Sequence, residues 1–445
     1  MKFLLLNSPI YWESTVEDEE YLPPIGLGYI ATHLYEAGID VEVVDCVKLH
    51  LGVKEIIKLI NEKSPDYLGI NIFTQNYELV KYILENCYKS ITIFLGGQVV
   101  KNIYKEVLKW IINNKIMLII GEGELILPAI ITNTCKDKPI YSNGNKAVYR
   151  VNQDSAYFPA DLSCVRLNRK ILLYETLNNH YSLTEASIIT SRGCLYDCAF
   201  CGGARSLNRD MTIRIREPRD IIAEIQEIQI VHPDVNCIRI LDDLFLKNRT
   251  SIINAIDIFN HFQHLFWRGM AHVLSIINSL DLLVALKNSG CKEISIGIES
   301  GSESIRTKIN KVGTVQQVIS VVKAILDAGI DVKGYFIYGF PGETVDDFKM
   351  TYAIATELKN ISNYTQGKFR CSVFQFRPYH GTKLYTEILE SGRIINVAEA
   401  NDAINQFSGR SQFNFQSGNY SQADDETLNY YILKAQKLSG ETSHD

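Results

Sequence analysis

The chain has 445 residues, 46% of them hydrophobic and 22% charged, with a formal net charge of −6 at pH 7. That length exceeds one ordinary core and calls for two or three domains, and the acidic balance gives no electrostatic reason to expect nucleic acid or an anionic membrane as partner. No apolar run approaches the span of a membrane helix, and ten cysteines without an export signal suggest a reducing, cytoplasmic setting in which close-set thiols are metal ligands before they are disulfides.

Strand and helix signals alternate from the start. "KFLLLN" is a short apolar run that reads as a first strand, not a signal peptide, because Pro9 and the acidic "ESTVEDEE" follow it. "IGLGYIATHLYEAG" has apolar residues at helical spacing and Gly38 as its stop. "IDVEVVD" is the next strand, and "VKEIIKLINEKSP" is an amphipathic helix ended by Pro65. "YLGINIF", "ITIFLGG" and "IMLIIGEGE" follow as buried strands with helices between them. This rhythm predicts a Rossmann-like, doubly wound parallel sheet over residues 1–140. Residues 141–185 lose the pattern and read as a linker with a hairpin. A second alternating series then begins, with strands at "EASIITSRG", "CIRILDD", "WRGMAHV", "EISIGIES", "DVKGYFIYGFPGE" and "FRCSVFQFRPY". Six strand–helix units are fewer than the eight of a closed barrel, so a partial (β/α)6 barrel is expected over 186–385, with a C-terminal extension over 386–445.

The densest chemical signal lies directly after the first strand of the second series. "SRGCLYDCAFCGG" sets Cys194, Cys198 and Cys201 in a C-x-x-x-C-x-x-C spacing. A structural zinc site wants four protein ligands, and Cys164, Cys237, Cys291 and Cys371 each stand alone. A cubane iron–sulfur cluster can instead take one thiolate on each of three irons and leave the fourth iron open to a small molecule. A coincidental set of cysteines, or a zinc loop borrowing a distant ligand, stays open on spacing alone.

Taken with their surroundings, these residues resemble the radical S-adenosylmethionine (radical SAM) superfamily over nearly the whole chain. Phe200 stands where the superfamily places an aromatic residue before the last cysteine. "LDDLF" (241–245), "ISIGIESGSESI" (294–305), "YFIYGFPGET" (335–344) and "FRPYHGTKLY" (376–385) look like the second, fourth, fifth and sixth strand signatures. The resemblance implies a 4Fe–4S cluster on Cys194, Cys198 and Cys201, with S-adenosylmethionine contacted by Phe200, Asp242, Asp243, Gly297, Glu299 and Ser300. The open iron would chelate the methionine end of S-adenosylmethionine, and one electron would split its sulfonium into methionine and a 5′-deoxyadenosyl radical. An electron donor such as flavodoxin or ferredoxin is implied as partner. Arg192 and Arg205, flanking the loop, read equally well as surface charges, and Cys371 reads as a core residue.

In the first domain "LGG" (95–97) and "IGEGE" (120–124) close the fourth and fifth strands, at the edge where open α/β sheets hold ligands. No G-x-G-x-x-G follows the first strand, which argues against a dinucleotide. These stretches, with "NSP" (7–9), "PPIGLGYIATHLYEAG" (23–38) and "GINIFT" (69–74), resemble the cobalamin-binding domain fused to many radical SAM enzymes. The resemblance implies corrinoid contacts at Ser8, Pro9, Ile25, Thr74, Gly96, Gly97, Gly121 and Gly123. The D-x-H-x-x-G motif that supplies an axial histidine in many cobalamin proteins is absent, and His33 reads as a helix residue. The reaction expected from the class B methyltransferase type is methylation of an unactivated carbon of a small metabolite. A radical cyclisation, rearrangement or dehydration without methyl transfer is the alternative, and a non-catalytic corrinoid or metal-binding protein a third. Substrate reading is expected in the sixth strand (Phe374, Phe376, Tyr379) and the C-terminal extension.

Overall fold

The computed structural model describes residues 1–7, 12, 22–74, 76–87, 90–172, 175–393 and 418–439. The chain gathers into two compact units. One comprises Met1–Glu175, Arg209–Thr212 and the segment beginning at Pro378. The other comprises Thr176–Asn208, Ile213–Arg377 and the helix near the C terminus.

The first unit is built on β1 (Lys2–Asn7), β2 (Asp40–Asp45), β3 (Tyr67–Asn71), β4 (Thr92–Gly96), β5 (Lys115–Ile120), β6 (Tyr141–Asn143) and β7 (Lys146–Arg150). Their spatial order is β2-β1-β3-β4-β5-β7-β6. The first five strands and β7 pair in parallel, and only the β6–β7 hairpin is antiparallel. The hairpin foreseen in the irregular stretch is thus an edge extension of the first sheet. Near-continuous apolar runs form the strands because both faces are covered: five of the six residues of β1 are buried. The helix Val53–Lys63 buries Val53, Ile56 and Ile60 along one face, and it stops at Ser64, which takes a left-handed φ of 42° just before Pro65. Gly38 closes the helix Ile25–Glu36 with a φ of 77°, its N–H donating to the Tyr35 carbonyl.

The second unit carries β8 (Leu177–Asn178), β9 (Thr184–Ile188), β10 (Ser191–Arg192), β11 (Arg214–Ile215), β12 (Cys237–Ile240), β13 (Phe266–Ala271), β14 (Cys291–Glu299), β15 (Asp331–Tyr338) and β16 (Phe369–Gln375). Its main sheet runs β16-β15-β14-β13-β12-β9-β8. The six strands from β9 to β16 are parallel and follow chain order, and β8 pairs antiparallel at the edge. This is the expected six-stranded half-barrel. Helices Pro218–Val231, Arg249–Phe259, Val315–Asp327 and Val345–Ile361 cover its outer face over a core that includes Trp267, Phe336, Phe348 and Phe369. The C-terminal helix Asp425–Gln436 adds Leu428, Tyr431 and Ala435 to that core. Among the described residues no helix is long and apolar enough to cross a membrane.

Candidate active site

The cysteine loop leaves the barrel sheet just beyond β9, at the C-terminal edge where a barrel places its ligands. Asp243, three residues past the end of β12, holds the loop's start by accepting the Gly193 N–H at 3.1 Å. Farther along, Ala199 N–H donates to the Ile309 carbonyl, and the Asn310 amide donates to the Asp197 carbonyl at 2.8 Å. Burial is the leading cause that raises the pKa of all three thiols, Cys201 to about 12, and Cys194 adds to the rise at Cys198 and Cys201. Among the described residues no three His, Cys, Asp or Glu side chains close around a single metal ion. A lone zinc needs that tight tetrahedron, whereas a cubane spreads its thiolates over separate irons. Three thiols on one loop match the ligand number of a cubane with an open iron, and the Gly203 N–H donates to Cys201 Sγ at 3.3 Å.

The end of β14 is the most constrained part of the site. Glu299 takes a left-handed φ of 68°, unusual for a residue with a side chain. Its Oε1 accepts from Lys311 Nζ at 3.0 Å, and both side chains are over nine-tenths buried. Burial works against the Lys311 charge, but Glu299 and Cys198 together outweigh it and hold the ammonium above its usual range. A Cβ on Gly297 would lie 2.2 Å from Glu299 Oε1 and 2.7 Å from Lys311 Nζ, so the absent side chain is what gives this pair its room. Ser300 is fully buried, its hydroxyl 3.1 Å from Thr351 Oγ1, so its side chain fastens the turn to helix Val345–Ile361.

Asp242 is likewise committed. It accepts from Thr190 N–H (2.7 Å), Thr190 Oγ1 (2.6 Å) and Ser191 Oγ (2.5 Å), with Lys247 Nζ at 3.8 Å. Burial pushes both members of that pair toward their neutral forms. Phe200 makes an edge contact with Phe340 at 5.5 Å between centroids. Lys311, Lys247 and His272 escaped the sequence reading. His272 follows β13 and stacks on Tyr196 of the cysteine loop at 3.8 Å. Its Nε2 is buried without a hydrogen-bond partner, and burial, with Lys311 and Arg306 nearby, lowers its pKa to about 3. A lone histidine on a strand end carries no spacing signal.

In the first unit, Ser8 and Pro9 lie outside the described residues. Ile25 is buried in the first turn of helix Ile25–Glu36. Gly97 and Gly121 have φ values of 112° and 99°, and a Cβ there would meet the Ile72 and Val151 carbonyl oxygens at 2.3 and 2.2 Å. These two glycines are required by the backbone itself. Gly123 makes room for Leu127, while Gly96 faces open space at the end of β4. Polar groups line the same sheet edge: Asn7 donates to Asp45 at 2.9 Å, and Asn71 to Asn7 at 3.3 Å. Thr74 Oγ1 lies 3.0 Å from Nδ1 of His380, a residue 306 positions away. His380 Nε2 is buried and unpartnered, and burial lowers its pKa to about 4. Bare backbone at Gly96 and the unsatisfied imidazole nitrogen of His380 would each suit a large ligand carrying its own hydrogen-bonding groups.

Comparison with known proteins defines the class first. Residues 188–355 match the Radical SAM superfamily and residues 15–131 match the B12 binding domain. The chain thus carries a radical SAM domain and a B12 binding domain, the pair found in cobalamin-binding radical SAM enzymes, whose cofactors are a 4Fe–4S cluster, S-adenosylmethionine and cobalamin. Among particular relatives, it is 25% identical to an uncharacterized methyltransferase of Pyrococcus horikoshii, over 84% of this chain and 80% of that one. It is 24% identical to the anaerobic magnesium-protoporphyrin IX monomethyl ester cyclase of Rubrivivax gelatinosus, over 85% and 72%. Its fold is shared with the radical S-adenosylmethionine methyltransferase TsrM from Kitasatospora setae (TM-score 0.64, 14% identity, covering 88% and 75%). It is also shared with the cobalamin-dependent enzyme OxsB (TM-score 0.62, 14% identity, covering 97% and 65%).

Proposed function

We propose that this enzyme transfers a methyl group to an unactivated carbon of a small metabolite. The observation that carries the reading is the coexistence, in one chain, of the three-thiol loop at the end of a half-barrel strand and a B12 binding domain. When bound, the cluster with S-adenosylmethionine supplies a 5′-deoxyadenosyl radical, and cobalamin supplies a carrier for the methyl group. Cys194, Cys198 and Cys201 are assigned to the cluster. Phe200, Asp243, Gly297 and Glu299, with the Ser300 backbone, are assigned to S-adenosylmethionine, and Asp242 to holding the strand ends beneath it. The Glu299–Lys311 pair fixes one carboxylate and one ammonium beside Cys198, complementary in sign to the two ends of an amino acid zwitterion. Ile25, Thr74, Gly96, Gly97, Gly121 and Gly123 are assigned to the corrinoid edge, with Ser8 and Pro9. The enzyme draws its electron from a flavodoxin- or ferredoxin-type donor and works in the cytoplasm.

Relatives described as methyltransferases, including a cytidylyl-2-hydroxyethylphosphonate methyltransferase from Streptomyces wedmorensis at 21% identity, support this reading. The cyclase relatives favour a second one, radical ring closure without methyl transfer. Product analysis separates them. Methyl transfer yields S-adenosylhomocysteine and 5′-deoxyadenosine together. Formation of 5′-deoxyadenosine alone, with a converted substrate and bound cobalamin, overturns the methyltransferase assignment.

A further inference from the structure

The lumen of the half-barrel is lined by charge that does not balance. Arg239, Arg268, Lys333 and Arg370 project from β12, β13, β15 and β16, against only Glu185 of β9 and Glu293 of β14. Both carboxylates are already taken. Glu185 is gripped by the Arg268 fork at 2.5 and 2.8 Å, and Glu293 by the Arg370 fork at 2.6 and 3.1 Å. What remains for Arg239 is a distant 3.9 Å approach to Glu185. Lys333 is 4% exposed, and its ammonium has no hydrogen bond or ion pair among the described residues; it lies 5.2 Å from the centre of the Tyr335 ring. The neighbouring charges cannot offset the surplus, because Asp242 faces Lys247 and Asp331 faces Lys292. Burial alone would raise the Tyr335 hydroxyl pKa, yet Lys333 and Arg239 lower it, which reports a positive potential inside the barrel.

Arg239, Arg268, Glu293, Lys333 and Tyr335, with Asp242, line a cavity of about 180 Å³. At a share of about 30 Å³ per water, that is room for about six waters, more than one small inorganic ion fills. A buried cation without a counter-charge is strongly disfavoured, and burial lowers the Lys333 pKa toward the neutral amine; an anion that joins it restores the charged form. Guanidinium and ammonium groups together are the usual receptors for carboxylate and phosphate oxygens.

We infer that the half-barrel lumen is a binding site for an oxyanionic group, a carboxylate or phosphoryl group borne on an organic ligand, received by Arg239 and Lys333. The site goes beyond the reaction assigned above and holds for methyl transfer and ring closure alike.

The test is isothermal titration of the anaerobically reconstituted full chain with ethyl phosphate, propionate and inorganic phosphate, at constant ionic strength in chloride. Ethyl phosphate or propionate should bind saturably, at least as tightly as inorganic phosphate, and should raise the melting temperature. Lys333→Met and Arg239→Gln should each weaken binding tenfold or more, while Lys333→Arg keeps it. Lys333→Met should also melt higher than the wild type in chloride buffer without added oxyanion, since it removes an uncompensated charge. The inference falls if no organic oxyanion binds saturably, if only inorganic phosphate binds, or if folded Lys333→Met binds as the wild type does.

Discussion

Gly297→Ala tests how the end of β14 is built. The new methyl would sit 2.2 Å from Glu299 Oε1 and 2.7 Å from Lys311 Nζ, both far inside contact distance. Glu299 cannot simply swing away, because its left-handed backbone aims its side chain and Lys311 holds it in a buried pair. Overpacking of this kind costs about 1–3 kcal/mol. If the carboxylate is expelled and Lys311 is left buried without a partner, the cost rises to about 3–5 kcal/mol. The gain from restricting the unfolded chain, roughly 0.4–1 kcal/mol, is too small to offset either. Steric conflict therefore wins, and it depends on Glu299 being there. In a Glu299→Ala background the first clash disappears and Lys311, no longer held by its partner, can move off the second, so Gly297→Ala should add little. Anaerobic urea denaturation of the four proteins in the cycle, followed by loss of the cluster's visible absorbance, measures the coupling. An interaction energy above about 1 kcal/mol is expected; additivity within about 0.5 kcal/mol would refute the account.

Cys198→Ala should abolish iron loading, visible absorbance and S-adenosylmethionine cleavage, whereas Cys371→Ala, in the core of β16, should leave iron content unchanged. Retained iron in the first variant would overturn the cluster assignment. Glu343→Gln addresses the turn after β15, where the fully buried carboxyl accepts from Gly339 and Phe340 N–H at 2.7 and 2.9 Å. Burial lifts its pKa to about 8 from an ordinary 4.5. Between those values the folded state keeps a proton that the unfolded state has lost. Its contribution is thus full below pH 4.5 and declines by about 1.4 kcal/mol per unit as pH rises toward 8. The glutamine variant should be increasingly more stable than the wild type across that window and equal to it near pH 4.5. A stability difference that does not change with pH would contradict this.

Much of this protein was legible along the chain. Apolar runs of four to nine residues separated by amphipathic stretches define parallel strands with covered faces, and their sequential order follows from short connections. The cysteine spacing identifies its chemistry because the ligands share one loop, so their separation in sequence is their separation in space. What the spacing could not show is how strand ends are wired across the barrel. Asp242 was legible as an acid at a strand end, but only the fold reveals that Thr190 and Ser191 consume it. Gly297 was legible as a motif glycine, yet its reason is the Glu299–Lys311 pair above it.

Local periodicity and ligand spacing are written within a few residues, and for that reason the strand–helix rhythm and the three-thiol loop are properties of the sequence by itself. Pairing, desolvation and the sign of a buried potential depend on residues brought together from far apart, such as Thr74 with His380 or Glu185 with Arg268. Each strand contributes its lumen charge singly, and no window of sequence contains two of them as neighbours across the barrel. The surplus of positive charge inside the half-barrel came into existence only when the tertiary structure set six strands side by side and removed their interior from water.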